Sequence, residues 1–314
     1  MKKQFKTPPV LLIAFNRPET TKKVFEEIRK VKPKELFISI DGPRNEQEKQ
    51  KTEEVKKIVS NVNWHCKIHQ RFSKENQGII KGAGGAIDWF FDNVKEGIVF
   101  DDDCVPDQSF FRFCAEMLEK YRDNERVMHI SGDNFQSDKL KLNSSYYFSK
   151  YTYMWGWASW SRAWKKRDIK MREYLKLKDS KYFVKAVPNF IERIYLKGLF
   201  RESYKDPKRI DVKWLFTVFA KKVLVVVPSK NLVKNIGFNA ESTNTKEIDS
   251  FLSIGSDSMQ FPLKHPLEIK LNRKADENYA IWLLKHRLKK HFLLKTGLSK
   301  LFIIFSKHKK QIEV

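Results

Sequence analysis

The chain has 314 residues with 41% hydrophobic and 13% aromatic content, enough for one large packed domain and incompatible with global disorder. No run approaches the ~20 apolar residues that a bilayer-spanning helix needs. The formal charge of +24 is uneven: residues 1–150 carry 27 Lys/Arg against 23 Asp/Glu, whereas residues 151–314 carry 35 against 15. That excess suits an acidic partner or surface, or equally a solvated Lys-rich face.

The N-terminal stretch MKKQFKTPPVLLIAF has a basic start, a short apolar run and no small-residue cleavage site before Asn16-Arg17-Pro18. It reads as a buried first strand and not as a signal peptide, and a cytoplasmic location is expected. Cys66, Cys104 and Cys114 form an odd set without ligand-like spacing, so reduced thiols are expected and a zinc site is not.

Strand and helix patterns then alternate. Val10–Phe15 is apolar, Glu19–Lys30 has helical spacing, and Glu35–Ile40 is β-rich and ends at the turn Asp41-Gly42-Pro43. Asn45–Val59 suits a surface helix, Trp64–Phe72 a third strand and Gly78–Val94 a helix. Gly97–Phe100 reads as a buried strand, Asp107–Tyr121 as a helix and Val127–Ser131 as a fifth strand. This rhythm predicts an α/β/α sandwich around a mostly parallel sheet, with ligands at the carboxyl ends of the strands. The second half is less regular: an aromatic run Tyr151–Trp164, helical stretches around Lys181–Leu199, a strand Val223–Val227 and a polar loop Asn239–Thr245. One domain over residues 1–270 is expected, with a donor half 1–135 and an acceptor half 136–270. A basic amphipathic helical tail, 271–314, follows.

The expected strand ends carry the chemistry. Asp101-Asp102-Asp103 directly follow a buried strand, and three adjacent carboxylates there call for a compensating cation. Mn²⁺ or Mg²⁺ suits oxygen ligands and bridges to phosphates; the alternative is that the acids cap the next turn, although Asp107 already suits that position. Asp41 could accept from a base or ribose, or could serve an ordinary turn. Asn76-Gln77-Gly78-Ile79-Ile80-Lys81-Gly82-Ala83-Gly84-Gly85 is neither GxGxxG nor a Walker A motif. Its glycines fit close packing as well as phosphate contact, and Lys81 could reach a diphosphate.

Taken together, VLLIAFNRPE, LFISIDGPR, ENQGI, AIDWFF and GIVFDDDCVPDQSFFRF resemble GT-A-fold nucleotide-diphospho-sugar glycosyltransferases. The likeness continues through HISGDNF, MWGWASWSRAWK, IDVKWLFTVF and VPSKNLVKNIGF, over about residues 8–245. It is to the family 2-like type of bacterial surface-polysaccharide clusters, distantly similar to N-acetylglucosaminyltransferase I.

The resemblance implies transfer of a hexosyl or N-acetylhexosaminyl group, with inversion, from a UDP-sugar or related donor to a glycan or lipid-linked glycan. It places Ala14, Phe15, Asn16, Arg17, Asp41, Asn76, Lys81, Asp101 and Asp102 around the donor, Asp101 and Asp103 on the metal, and Trp155, Gly156 and Trp157 in a wall between donor sugar and acceptor. Core packing is the alternative for the Trp run. It gives the general base to Asp211, with Asp133 as runner-up. Where the family has a Thr-His-Thr-like element, Glu241-Ser242-Thr243-Asn244-Thr245 puts Asn244 at the His position, and His265 is a possible substitute ligand.

Two rival readings differ in class. A nucleic-acid-binding protein would use the pI of 9.7 and the aromatic residues, but no binding module is recognisable and the acidic triplet would repel phosphates. A non-catalytic scaffold of polysaccharide assembly is the other. From Asn278 to Ile312 no acidic residue occurs, and apolar residues recur near helical spacing. That segment can lie on an anionic membrane surface or pack on the domain with a basic outer face.

Overall fold

The computed structural model describes residues 5–237 and 254–295. β1 (Val10–Ala14), β2 (Glu35–Ile40), β3 (Lys67–Phe72) and β4 (Glu96–Asp101) form a parallel array in the order β3-β2-β1-β4. The sheet continues through β8 (Trp157–Trp160), β6 (Val127–Ser131), β9 (Leu224–Pro228) and β7 (Tyr146–Ser149). β6 and β9 pair in parallel, while β8 and β7 are antiparallel to their neighbours, so the mixed eight-stranded sheet is mostly parallel. This is the Rossmann-like α/β architecture that the strand–helix rhythm predicts. The inner parallel strands β1, β2, β4, β6 and β9 are mostly apolar because both faces are covered, whereas the edge strand β3 is polar and none of its residues is buried.

α1 (Pro18–Val31) and α2 (Glu46–Ser60) connect β1 to β2 to β3, stepping outward across the sheet. The return from β3 to β4 runs through a π-helical turn, Ile79–Gly84, and α3 (Gly85–Asn93). Right-handed crossovers in opposite directions put α3 on the face opposite α1 and α2. α4 (Gln108–Lys120) packs on α1. Pro18 opens α1. Two helix starts were legible: Asn45 caps α2 by accepting from Glu48 N at 2.9 Å, and Asp107 caps α4 by accepting from Ser109 N at 2.9 Å.

The expected helix over Gly78–Val94 is instead two pieces. Arg71 on β3 explains the wide turn: it donates to the carbonyls of Lys81 (2.9 Å) and Gly82 (3.2 Å), drawing them out of regular helical pairing. The short strands β5 (Cys104–Pro106) and β10 (Val233–Asn235), which pair with each other, and β7 and β8 carry no clear alternation and were not predicted.

Short helices α5 (Ser161–Trp164), α6 (Tyr174–Leu177) and α7 (Lys181–Ala186) precede α8 (Phe190–Lys205) and α9 (Ile210–Ala220). The second half is knit by aromatic contacts, with Trp164 5.0 Å from Trp214 and 5.6 Å from Trp157. α10 (Arg273–Lys295) contains the start of the expected basic tail, and its first turns enter the core: Ala275, Asp276 and Ala280 are fully buried. The rest of that tail, 296–314, lies outside the described residues, as does the polar loop Asn239–Thr245 with Asn244.

Candidate active site at the carboxyl edge of the sheet

β1, β2 and β4 deliver their last residues to one edge of the sheet. At the end of β4 the three acids have three different environments. Asp102 is 2% exposed and turns back towards β1, accepting from Phe15 N at 3.2 Å and from Arg17 Nη2. Asp103 accepts from Arg17 Nη1 at 2.8 Å, while its other oxygen faces Cys104 Sγ (3.3 Å) and Asn235 Nδ2 (3.4 Å). Asp101 is open to solvent and has no hydrogen bond or ion pair among the described residues.

The charge compensation inferred for the triplet is thus met in part from within the chain, by Arg17 on the loop after β1. One guanidinium faces three carboxylates. Asp101 is pushed up to about 7 by desolvation, then by Asp103 and Asp102. Asp102 is pushed up to about 6, desolvation outweighing the opposing pull of Arg17. Asp101 is open to water although the surrounding protein desolvates it. Its accessible surface is the quantity that decides whether a ligand reaches it.

The triplet offers hard oxygen donors of the kind Mn²⁺ and Mg²⁺ prefer. Asp101 is free and Asp103 keeps spare lone pairs on each oxygen. Among the described residues no group of three or more His, Cys, Asp or Glu is arranged to hold a metal. Two carboxylates, Asp101 and Asp103, would leave most of an ion's coordination to substrate phosphates and water.

The neighbouring residues are fixed around this edge. Ala14 is buried and its carbonyl accepts from Asp41 N at 3.1 Å. The Phe15 ring lies under the Arg44 guanidinium at 5.4 Å, and Asn16 donates to Glu48 Oε1 at 3.2 Å. Asp41 is committed to the chain: its carboxylate accepts from the backbone N–H groups of Gly42 (2.9 Å), Gln77 (2.8 Å) and Gly78 (3.0 Å) and from Asn76 Nδ2 (3.1 Å). It clamps the β2 turn to the loop after β3, which engages Asn76 as well. Lys81 is exposed on the π-helical turn.

Trp157 is 2% exposed and stacks on His129 at 5.2 Å, so it belongs to the core and not to a ligand-facing wall. Trp155 is half-buried, and Gly156 is buried with a φ of +61°. A Cβ at Gly156 would lie 2.9 Å from both Phe100 and Val233, so the backbone must come close there. His265 pairs with Tyr146 Oη through Nδ1 at 3.0 Å, which gives it a structural partner.

The two candidate bases differ sharply. Asp133, just past β6, is 1% exposed and its Oδ1 has no hydrogen-bond partner among the described residues. Burial pushes its carboxyl well above the usual range, against backbone hydrogen bonds that favour the charged form. Asp211, in the first turn of α9, has a side chain 58% exposed, with Arg209 Nε 3.8 Å away.

Sequence reasoning missed Glu48, which joins Arg44 and Asn16 behind the site. Its signal was available: Asn45 and Glu48 have the spacing of a helix-capping pair. Gly237 was missed too, since a Cβ there would fall 2.2 Å from Asp103 Oδ2.

No protein-family model and no curated protein matches the chain. Among solved structures, HddC from Yersinia pseudotuberculosis is 12% identical over 49% of this chain and 77% of its own, with a TM-score of 0.32. An active-site mutant of LgtC is 12% identical over 87% of this chain and 94% of its own, with a TM-score of 0.36. Likenesses this distant assign no activity, so a functional reading must rest on the site.

Proposed function

We propose that the chain is a glycosyltransferase that moves a sugar from a nucleotide-diphosphate donor, a UDP-sugar first among them, to a glycan or lipid-linked glycan. The observation that carries the reading is the under-compensated acidic triplet at the carboxyl end of β4, with Asp101 open and Arg17 beside it. An edge with more carboxylate than cation repels a bare diphosphate and accepts one that brings a divalent ion. Asp101 and Asp103 would hold Mn²⁺ or Mg²⁺, which supplies neutralisation of the charge developing on the leaving diphosphate. Arg17 adds a fixed cation at the same edge.

In this reading the acceptor hydroxyl attacks the anomeric carbon as the bond to the diphosphate oxygen breaks, and the bonding pair leaves with the diphosphate. Asp211 takes the hydroxyl proton, since it is exposed whereas Asp133 is buried. Trp155 and Gly156 flank the transferred sugar. No helix among the described residues is long and apolar enough to cross a membrane, and a lipid-linked acceptor would be met at a surface by the basic C-terminal segment.

A thermal-shift screen of UDP, GDP, CMP and dTDP sugars, with and without Mn²⁺, tests the reading on wild type and Asp101→Asn. Stabilisation by one donor class that needs the metal and is lost in the variant is expected. Stabilisation by no donor would overturn it.

A further inference from the structure

A cavity of about 450 Å³ opens between the π-helical turn and the start of α9, apart from the acidic triplet. Its size is that of a small-molecule site. Four cations line it, Arg71, Lys81, Arg167 and Lys213, against one acid, Asp88. Asp88 is already engaged, paired with Arg167 at 2.5 Å and accepting from Trp164 Nε1 at 2.8 Å.

The other cations have only neutral partners. Arg71 donates to Ser39 Oγ at 3.1 Å and to the carbonyls of Gly82 and Lys81. Lys213, 8% exposed, donates to the Ile169 carbonyl at 3.0 Å, and burial lowers its pKa despite some attraction from Asp206 and Asp168. Of these cations Lys213 is buried, Arg71 is half-buried and Lys81 is exposed, and a buried cation ordinarily sits against a carboxylate. Here Arg71, Lys81 and Lys213 face one cavity without forming an ion pair among the described residues.

The rest of the wall includes Ile80, Ile169, Ile210 and Trp214, apolar surface suited to the C–H face of a sugar ring. The cavity also sits at the junction of the two halves. Gln77 on its rim donates its backbone N–H to Asp41, and Ile210 directly precedes Asp211.

We propose that this cavity binds the carboxylate or phosphate of a charged sugar, and that the acceptor is therefore an acidic glycan. The acceptor assignment rests on the glycosyltransferase reading; the binding itself does not.

Ligand-observed NMR on the full chain tests it with glucuronic acid, glucose 6-phosphate, glucose, inorganic phosphate and UDP as probes. A response to glucuronic acid marks a uronic-type acid as the ligand, and one to glucose 6-phosphate a phosphorylated sugar. Glucose is expected to give none, and added salt should weaken the response. Arg71→Gln combined with Lys81→Gln should lower affinity about tenfold or more, as loss of charged hydrogen bonds does. Lys81→Gln alone, on an exposed site, serves where the double variant fails to fold, and should lower affinity in the same direction.

Silence of both acidic sugars, equal binding of glucose, a response to phosphate alone, or indifference to the variants would overturn the proposal. So would displacement of the acidic sugar by UDP, which would make the cavity part of a nucleotide site. If instead no nucleotide sugar binds at the triplet while the acidic sugars bind here, the glycosyltransferase reading fails and the anion site stands.

Discussion

Two carboxylates in this molecule, Asp101 and Asp276, are both pushed up to about 7, in each case chiefly by desolvation. Their surroundings differ in one respect. Asp276, at the start of α10, is fully buried with Glu192 and Lys150. Lys150 Nζ pairs with Glu192 at 2.8 Å and lies 3.9 Å from Asp276, which also accepts from Ser149 Oγ at 2.6 Å. Asp101 stands in a cluster with a similar excess of acid, but solvent reaches it. In the sealed cluster the excess negative charge has only a proton to relieve it. In the open one a cation or ligand from solution can do so. An acid-heavy cluster thus marks a candidate site only where something can enter, and elsewhere it is a fastener. Here the sealed cluster fastens α10 and α8 to the loop after β7.

The comparison breaks most visibly at Lys150. Lys150→Met leaves Glu192 and Asp276 buried without their cation and should cost about 3–5 kcal/mol, read by urea denaturation. A loss under 1 kcal/mol would mean that the cluster is wetter than its burial implies.

Arg17→Gln makes the same cut at the open cluster. Arg17 is one-fifth exposed and water can re-solvate Asp103, so about 1–3 kcal/mol is expected, together with weaker donor binding in the thermal-shift screen. An equal or larger cost than Lys150→Met would erase the distinction between the two clusters.

The pH dependence sharpens it further. Asp276 has a folded-state pKa near 7 against 3.8 for the ordinary group, so between those values the folded state holds more protons than the unfolded one. Stability contributed here is therefore lost as pH rises from about 4 to 7, by at most about 1.4 kcal/mol per pH unit for one proton. Asp276→Asn should flatten that part of the stability–pH curve. An unchanged slope would show that Asp276 is already ionised in the folded protein.

The smallest stability effect belongs to Asp211. Because it is exposed, Asp211→Asn should change stability by less than about 0.5 kcal/mol. If it is the base, turnover on a competent acceptor should fall about 10²–10⁴-fold with donor binding intact. Full turnover in this variant would remove Asp211 from the mechanism.

How far the sequence reached depends on the range of the forces involved. The parallel strands β1, β2, β4 and β6 were legible because strands buried on both faces are short apolar runs bounded by turn residues, and the edge strand β3 was legible from alternation. Helix starts at Asn45 and Asp107 were legible because caps are local. The position of the acidic triplet at a strand end followed from the same pattern, with no contact needed.

What escaped depends on partners far along the chain. β5 and β10 are three residues each and exist only by pairing across more than a hundred residues. The π-helical turn is imposed by Arg71, on the preceding strand. Arg17 was legible as a residue near the nucleotide. That it is the triplet's own counter-ion was not, since 86 residues separate it from Asp103.

The same holds for four of the carboxylates with candidate roles. In the sequence Asp41, Asp133, Asp211 and Asp101 are alike, each at the end of an element. Tertiary structure engages Asp41 with three backbone N–H groups, buries Asp133, and leaves Asp211 and Asp101 open to solvent. Residue type and local pattern determined where carboxylates stand on the fold. Burial and hydrogen bonding, which only the folded chain sets, decided which of them are free to act.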